Sequence, residues 1–285
     1  MKFIKIYLFF LLLSFQSTSI AGPWSKKKGH GYSQFSFTYL HYNRLLNGIN
    51  PASELKRDIN DFTYQLYGEY GLSNKLDFLF NLPYKTVSSG ERLNKSSNDP
   101  YPNDTLDHGK LTAFSNLSFA LKYTFIEKKY AFAAQLAVSN RMHQYQPNTG
   151  LRIGYDAHVI RPSLLIGRGW DKVYIQIELG LELNDNEYAQ NLIGSLEVGR
   201  NFFEGKTWLM LRSDIKLPLT NGEFDEGNSV QTGLYRDNSS FVSYGVKGTQ
   251  SIVPDFYLNL GIYGAFFAEN EGAALTYSIA LAYEW

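Results

Sequence analysis

The chain has 285 residues, 27 Lys plus Arg against 27 Asp plus Glu, and no cysteine. Zero net charge leaves no basic footprint for nucleic acid, and the missing thiols exclude disulfides and thiolate chemistry. Aromatic side chains make up 16% of the residues, a share that suits a β-barrel whose rings line two bilayer interfaces.

The chain opens with Lys2 and Lys5, an apolar stretch from Ile6 to Leu13 that continues through Phe15, and then Ser19-Ile20-Ala21. That order predicts a secretory signal over residues 1–21, cleaved after Ala21, because the apolar core is too short to cross a bilayer. Residues 22–285 form the second unit. No later apolar run approaches the roughly twenty residues that a spanning helix needs.

Apolar and polar side chains alternate along twelve segments. The first lies near Tyr32–Tyr42, with Phe35, Phe37 and Tyr39 on one face. The second sets Phe62, Tyr64, Leu66 and Tyr70 against Thr63, Gln65, Tyr67 and Glu69, and the third sets Leu76, Phe78, Phe80 and Leu82 against Asp77 and Asn81. Leu117–Phe125 and Tyr130–Val138 are the fourth and fifth. The sixth, His158–Gly167, carries Pro162, which removes one ladder donor. The seventh alternates most cleanly, from Val173 to Leu183, whereas the eighth, near Leu192–Arg200, alternates poorly. Leu209–Leu217, Val242–Val246 and Phe256–Ile262 follow. The last runs to Trp285, with Leu275, Tyr277, Ile279, Leu281 and Tyr283 on its apolar face. A period of two marks strands with one apolar and one polar face.

The connections alternate in length. Those at Leu72–Lys75, Ile126–Lys129, Arg168–Lys172, Phe202–Lys206 and Ser251–Asp255 are short. Arg44–Lys56, Thr86–Lys110, Asn140–Tyr155 and Pro218–Ser239 read as long polar loops. This pattern predicts an all-β, transmembrane, antiparallel up-and-down barrel of about twelve strands, with both termini periplasmic and the long loops outside. A soluble lipocalin-like barrel or sandwich would need a large interior filled with aromatic rings. Tyr123, Phe125, Tyr130, Trp170, Phe202, Trp208, Phe256 and Trp285 instead flank the short turns, where rings with a polar tip meet lipid headgroups.

Several short stretches resemble outer-membrane proteins of the phenol-degradation meta-pathway transporter type. They are Gly22-Pro23-Trp24 followed by Lys28-Gly29-His30-Gly31-Tyr32, then Glu69-Tyr70-Gly71-Leu72-Ser73-Asn74-Lys75-Leu76-Asp77 with Asn81-Leu82-Pro83-Tyr84, Leu121-Lys122-Tyr123-Thr124-Phe125, and Asn148-Thr149-Gly150. The resemblance implies uptake of small, often hydrophobic molecules. It assigns no substrate residues.

Enzymatic readings find little support. None of the five histidines (His30, His41, His108, His143 and His158) stands in a His-x-Ser arrangement that would serve a lipid-facing serine hydrolase. Asp99, Asp104, Asp107 and His108 in one loop, and Glu223, Asp225 and Glu226 in another, lack the spacing of a calcium loop. They read as solvated loops that contact lipopolysaccharide through bridging cations. No catalytic residue, metal ligand or cofactor is expected.

Parity places Glu69, Asp77, Lys122, Arg161, Glu178, Glu182, Arg212, Asp214, Lys216 and Lys247 on the inner face. Buried charges must be paired or wetted, so the lumen is either a water-filled pore or a space crossed by ion pairs. The expected function is a passive channel for small solutes, hydrophobic or aromatic ones among them. A closed structural or adhesive barrel is the alternative, and an outer-membrane hydrolase a more distant one. The partners expected are outer-membrane lipid and lipopolysaccharide, the barrel-assembly machinery acting on the strand that ends in Trp285, and the solute.

Overall fold

Alternating segments pair edge to edge into one closed wall. The computed structural model describes residues 22–48, 50–93 and 106–285. Its strands are β1 (Gly31–Gly48), β2 (Asn50–Gly71), β3 (Leu76–Ser89), β4 (Gly109–Phe114), β5 (Ser118–Glu127), β6 (Ala131–Ser139), β7 (Gln144–Gln146), β8 (Leu151–Ile153), β9 (Val159–Gly169), β10 (Val173–Asn184), β11 (Asn191–Phe202), β12 (Thr207–Pro218), β13 (Ser240–Val253), β14 (Phe256–Gly272) and β15 (Thr276–Glu284). β4 and β5 are two halves of one stave, broken at Ser115–Leu117, and β7 and β8 form a separate hairpin. The wall therefore has twelve antiparallel staves among the described residues. Neighbouring staves pair in sequence order, and β1 closes the ring on β15, from Tyr32 opposite Glu284 to Leu40 opposite Thr276.

The seam between β1 and β15 ends in a tight contact. Gly31 N donates to Trp285 O at 3.0 Å and Trp285 N to Gly31 O at 3.1 Å. A Cβ on Gly31 would lie 2.3 Å from the Trp285 ring, so only glycine fits there. The short turns lie at this same end of the barrel, hereafter the turn end; the opposite one is the loop end.

The wall is inverted relative to a soluble protein. Leu164 is 67% exposed and Leu211 59%, while Glu69 is 1% exposed, Asp77 0% and Lys122 1%. Such a continuous apolar outer surface is stable against lipid and not against water. The ten residues read as inward all lie on these staves. The eighth segment, β11, has the poorest alternation, yet it pairs without interruption from Asn191 to Phe202 with β12. Pro162 takes its place in the β9 ladder opposite Leu136.

The long connections depart from the sequence reading. Arg44–Lys56 is no loop: β1 and β2 run on as a hairpin, with Leu45 opposite Ser53 and Asn47 opposite Asn50. β3 likewise extends to Ser89, where it meets Gly109 of β4. Along β2 the two faces exchange polarity. Outward residues are Phe62, Tyr64, Leu66 and Tyr70 in the belt, then Asn60, Asp58, Lys56 and Glu54 above it. Inward ones are Glu69 and Asp61 within the belt, then Ile59 and Leu55 above it, both buried. Past the apolar belt the outside is water, so apolar side chains turn inward.

The belt predicts a specific cost. Ile177 lies midway along β10, paired with Ile166 and Leu196, and is 45% exposed. Ile177→Arg should destabilise the barrel by about 2–4 kcal/mol, measured as unfolding free energy in lipid vesicles. Unchanged stability would contradict lipid contact at that position.

Candidate functional site

Three layers fill the interior, beginning with a plug at the turn end. Residues 22–28 fold back into the opening instead of hanging free. Lys122 Nζ donates to Gly22 O at 2.9 Å and to Trp24 O at 3.0 Å, and Thr124 Oγ1 donates to Pro23 O at 2.9 Å. Lys26 N donates to Asp77 Oδ1 at 3.1 Å, and Lys26 Nζ pairs with Glu284 at 2.8 Å. Trp24 meets Tyr174 edge-on, with 6.1 Å between ring centroids.

Lys122 is the knot of this layer. Its ammonium lies 3.3 Å from Asp77 and 3.7 Å from Glu69, all three side chains being fully buried. Glu69 also accepts the Tyr67 hydroxyl at 2.6 Å. A buried cation is tolerated because two carboxylates and two backbone carbonyls replace its water. Across the lumen, Glu197 accepts Tyr174 OH at 2.7 Å and Gln176 Nε2 at 3.0 Å, with Arg212 at 3.7 Å.

Above the plug lies a cavity of about 660 Å³, within the range of small-molecule sites. Its lining is two-sided. Leu79, Ala120, Ala137 and Leu165 come from β3, β5, β6 and β9, together with the uncharged Asn81, Ser118 and Gln135, whereas Glu178, Glu182, Arg212, Asp214 and Lys216 come from β10 and β12. Arg161 of β9 completes the charged side by binding Glu182 through Nε at 2.9 Å and through Nη2. Lys216 lies 3.5 Å from Glu182, and Arg212 grips Asp214 with Nε at 2.9 Å and Nη2 at 2.7 Å. Among the described residues neither Glu178 nor Lys247 forms an ion pair. Glu178 lines the cavity; Lys247 is not part of its lining and stands on β13 opposite Met210.

The roof is built in part from segments that read as long polar loops. Tyr155 hangs over the cavity, where its hydroxyl accepts Lys216 Nζ at 3.2 Å. Its ring packs edge-on against Tyr188 and Tyr235. Asn116, in the break between β4 and β5, holds it there: Asn116 Oδ1 accepts Tyr155 N at 2.6 Å, and Nδ2 donates to Tyr155 O at 2.8 Å. Tyr235 OH accepts Lys85 Nζ at 2.7 Å, and Lys85 pairs with Asp61 at 2.6 Å. A second cavity of about 320 Å³ shares Tyr155, Phe241, Ser243 and Tyr263 with the first.

Higher still, Leu151 and Ile153 of β8 and Leu234 pack against Tyr42, Leu45, Leu55, Ile59 and Val87 of the raised wall. Thr232 Oγ1 donates to Gly150 O at 2.9 Å, and Tyr42 OH to Thr232 O at 2.8 Å. The loops 140–158 and 219–239 are therefore a folded lid with an apolar core.

The loop rim carries the acid and histidine groups. His158 pairs with Asp185 at 2.9 Å and His143 with Asp156 at 2.8 Å. Burial works against Asp185 ionising, but hydrogen bonds from the His158 ring and backbone outweigh it and hold its carboxyl below the ordinary range. Glu226 is pushed up by burial, against the pull of Arg236. Of the loop acids in the sequence reading, Asp99 and Asp104 lie outside the described residues. Among the described residues no three His, Asp or Glu side chains converge as a metal site.

Sequence parity named the charged residues and set Tyr67 on their face, but named neither Leu79 nor Tyr155. Leu79 shares the parity of Asp77 and was legible in principle; Tyr155 is placed by tertiary contacts alone.

No family model and no curated relative match the sequence. Solved structures do. An outer membrane channel from Pseudomonas putida F1 is similar over 94% of this chain and 100% of its own, with 12% identity and a TM-score of 0.70. The NanC porin is similar over 89% of this chain and 100% of its own, with 6% identity and a TM-score of 0.52. At these identities the likeness shows the fold alone, a closed twelve-stranded antiparallel barrel like those of these outer-membrane proteins.

The two charged layers should respond differently to mutation. Lys122→Met strands Glu69 and Asp77 without their cation and should cost about 3–5 kcal/mol. Glu178→Gln alters a carboxylate that faces open cavity and should change stability by less than about 0.5 kcal/mol. Denaturant titration of both variants in lipid vesicles measures the difference. Equal effects would contradict the distinction between buried knot and solvated wall.

Proposed function

We propose that the protein is an outer-membrane channel of a Gram-negative bacterium that passively admits small solutes. One observation carries the reading: a two-sided cavity lies between a plug and a lid, neither of which belongs to the wall. A wall with covered ends and a roomy, partly charged interior can pass a solute without opening the barrel itself. The solute class that fits has an apolar or aromatic body for the Leu79, Ala120 and Ala137 side and a polar or ionised group for the Arg161, Arg212 and Lys216 side. The names of the similar structures, a channel and a porin, support the same reading.

In this reading residues 1–21 are a cleaved export signal, the turn end faces the periplasm, and the lid faces outward towards lipopolysaccharide. The strand ending in Trp285 is the one that the barrel-assembly machinery engages, and the role is transport without catalysis. The covered ends also support the second reading, a closed structural barrel.

Conductance in planar bilayers, paired with liposome uptake of benzoate, separates the two. The channel reading expects small ion currents, measurable benzoate entry, and a shift towards anions in Glu178→Gln as one fixed negative charge is removed. A wild-type barrel that passes neither ions nor benzoate would overturn it. An epitope inserted after Asn221 should be labelled on intact cells and one after Ser73 should not; the reverse would overturn the orientation.

A further inference from the structure

The larger cavity and the smaller one above it meet at a neck of four residues, Tyr155, Phe241, Ser243 and Tyr263. Phe241 and Ser243 belong to β13 and Tyr263 to β14, so the ladders fix their main chain. Tyr155 alone stands outside any strand, on the lid segment between β8 and β9. Its main chain is pinned all the same, because Asn116 binds both its N–H and its C=O. Gly154 before it has φ +84°, and a Cβ there would fall 2.5 Å from Asn116 Oδ1. Any motion of Tyr155 that keeps this clamp is a rotation of its side chain.

What holds that side chain is a lysine with donors to spare. Lys216 is 7% exposed, and the Tyr155 hydroxyl at 3.2 Å accepts its one hydrogen bond among the described residues. The ammonium also lies over the Tyr155 ring, 4.8 Å from its centroid. Its ion-pair partner Glu182 is 3.5 Å away, longer than a strong charge-assisted bond, and the Glu182 oxygens already accept Arg161 and Asn191. An ammonium has three donors. Other lumen cations are better provided. Lys122 has two plug carbonyls, Lys85 has Asp61 at 2.6 Å, and Arg161 and Arg212 each bind a carboxylate through two nitrogens. Lys247 has no ion pair among the described residues but does not line either cavity.

Lys216 lines the lower cavity and not the upper one, and the Tyr155 ring stands between. In the upper cavity Asp61 is paired with Lys85, and Glu271 has no ion pair among the described residues, so an anion arriving from the lid is not held there. It is held at Lys216, in the place that the phenol occupies. We propose that Tyr155 is the inner gate of the channel, and that a carboxylate on the solute opens it by replacing the phenol hydroxyl at Lys216. This rests on the channel reading above. A charged acceptor binds an ammonium about twice as strongly as a neutral one, so the exchange favours a carboxylate over an uncharged polar group. Monocarboxylates with an apolar body then pass ahead of neutral molecules of the same shape.

Benzoate and benzamide share a shape and differ in charge, and the intact barrel can be offered both. Ligand-observed NMR in detergent micelles reads binding without transport, and wild type should bind benzoate several-fold more tightly than benzamide. Tyr155→Phe keeps the ring and removes the competing hydroxyl. It should bind benzoate about two- to tenfold more tightly than wild type, the range set by one hydrogen bond, and benzamide as wild type does. Lys216→Met should lose the preference for benzoate; if that variant does not fold, Tyr155→Phe decides alone. In planar bilayers Tyr155→Ala should raise the ion current several-fold, and in liposomes it should admit benzamide as fast as benzoate. Unchanged benzoate affinity in Tyr155→Phe, or equal binding of the two ligands by wild type, would overturn the exchange at Lys216. A Tyr155→Ala barrel with wild-type current that still prefers benzoate would overturn the gate and leave the channel standing. No current and no uptake in either wild type or Tyr155→Ala would overturn the channel reading, and the gate with it.

Discussion

The structure depends on one constraint: a wall that turns apolar side chains outward must turn its charges inward. A Glu, Asp, Lys or Arg packed away from the cavity has then lost most of its water and needs a partner. Lys122 meets that need with Asp77, Glu69 and two carbonyls of the N-terminal segment. Arg161, Lys216 and Glu182 meet it with one another, as do Arg212, Asp214 and Glu197. The plug is held because its backbone offers acceptors that a buried ammonium requires. The same electrostatics that stabilise the interior therefore narrow it.

The reverse rule shapes the loop end. Once the staves rise past the apolar belt, water lies outside and apolar groups turn in. Leu55, Ile59 and Val87 form half of a small core there, and Leu151, Ile153 and Leu234 bring the other half. The lid is thus a hydrophobic cluster closed by hydrogen bonds such as that from Tyr42 to Thr232. Between lid and plug remains the cavity, uncharged on the β3–β6 side and charged on the β10–β12 side. Two covers of different physics, one ionic and one apolar, bound a single chamber.

Much of this was legible in the sequence, and the limits have physical reasons. The wall was visible because lipid contact enforces local alternation, as Val173–Leu183 shows. β11 was faint because Gly194, Ser195 and Gly199 carry no apolar signal, although the ladder there is regular. The upper hairpin of β1 and β2 was read as a loop because its outer face is polar. The apolar residues of that stretch, Leu45, Leu55 and Ile59, belong to the inner face, the opposite of the pattern below. The charges of the lumen followed from parity. Their partners did not, since Lys122 binds residues about a hundred positions earlier in the chain. Nor did the plug or the lid, whose positions rest on contacts such as Asn116 with Tyr155 that no local period encodes.

The central claim is that passage runs through the chamber and requires the plug to leave Lys122 and Thr124. The chain has no cysteine, so a Pro23→Cys, Thr124→Cys pair is chemically unique, and the hydrogen bond of 2.9 Å from Thr124 to Pro23 places the two residues side by side. The pair is joined by a short reducible bis-thiol reagent, and ion current and benzoate uptake are followed before and after reduction. The account predicts that both fall to background when the plug is tethered and return when the link is cut. Full currents and full uptake through the tethered barrel would contradict it.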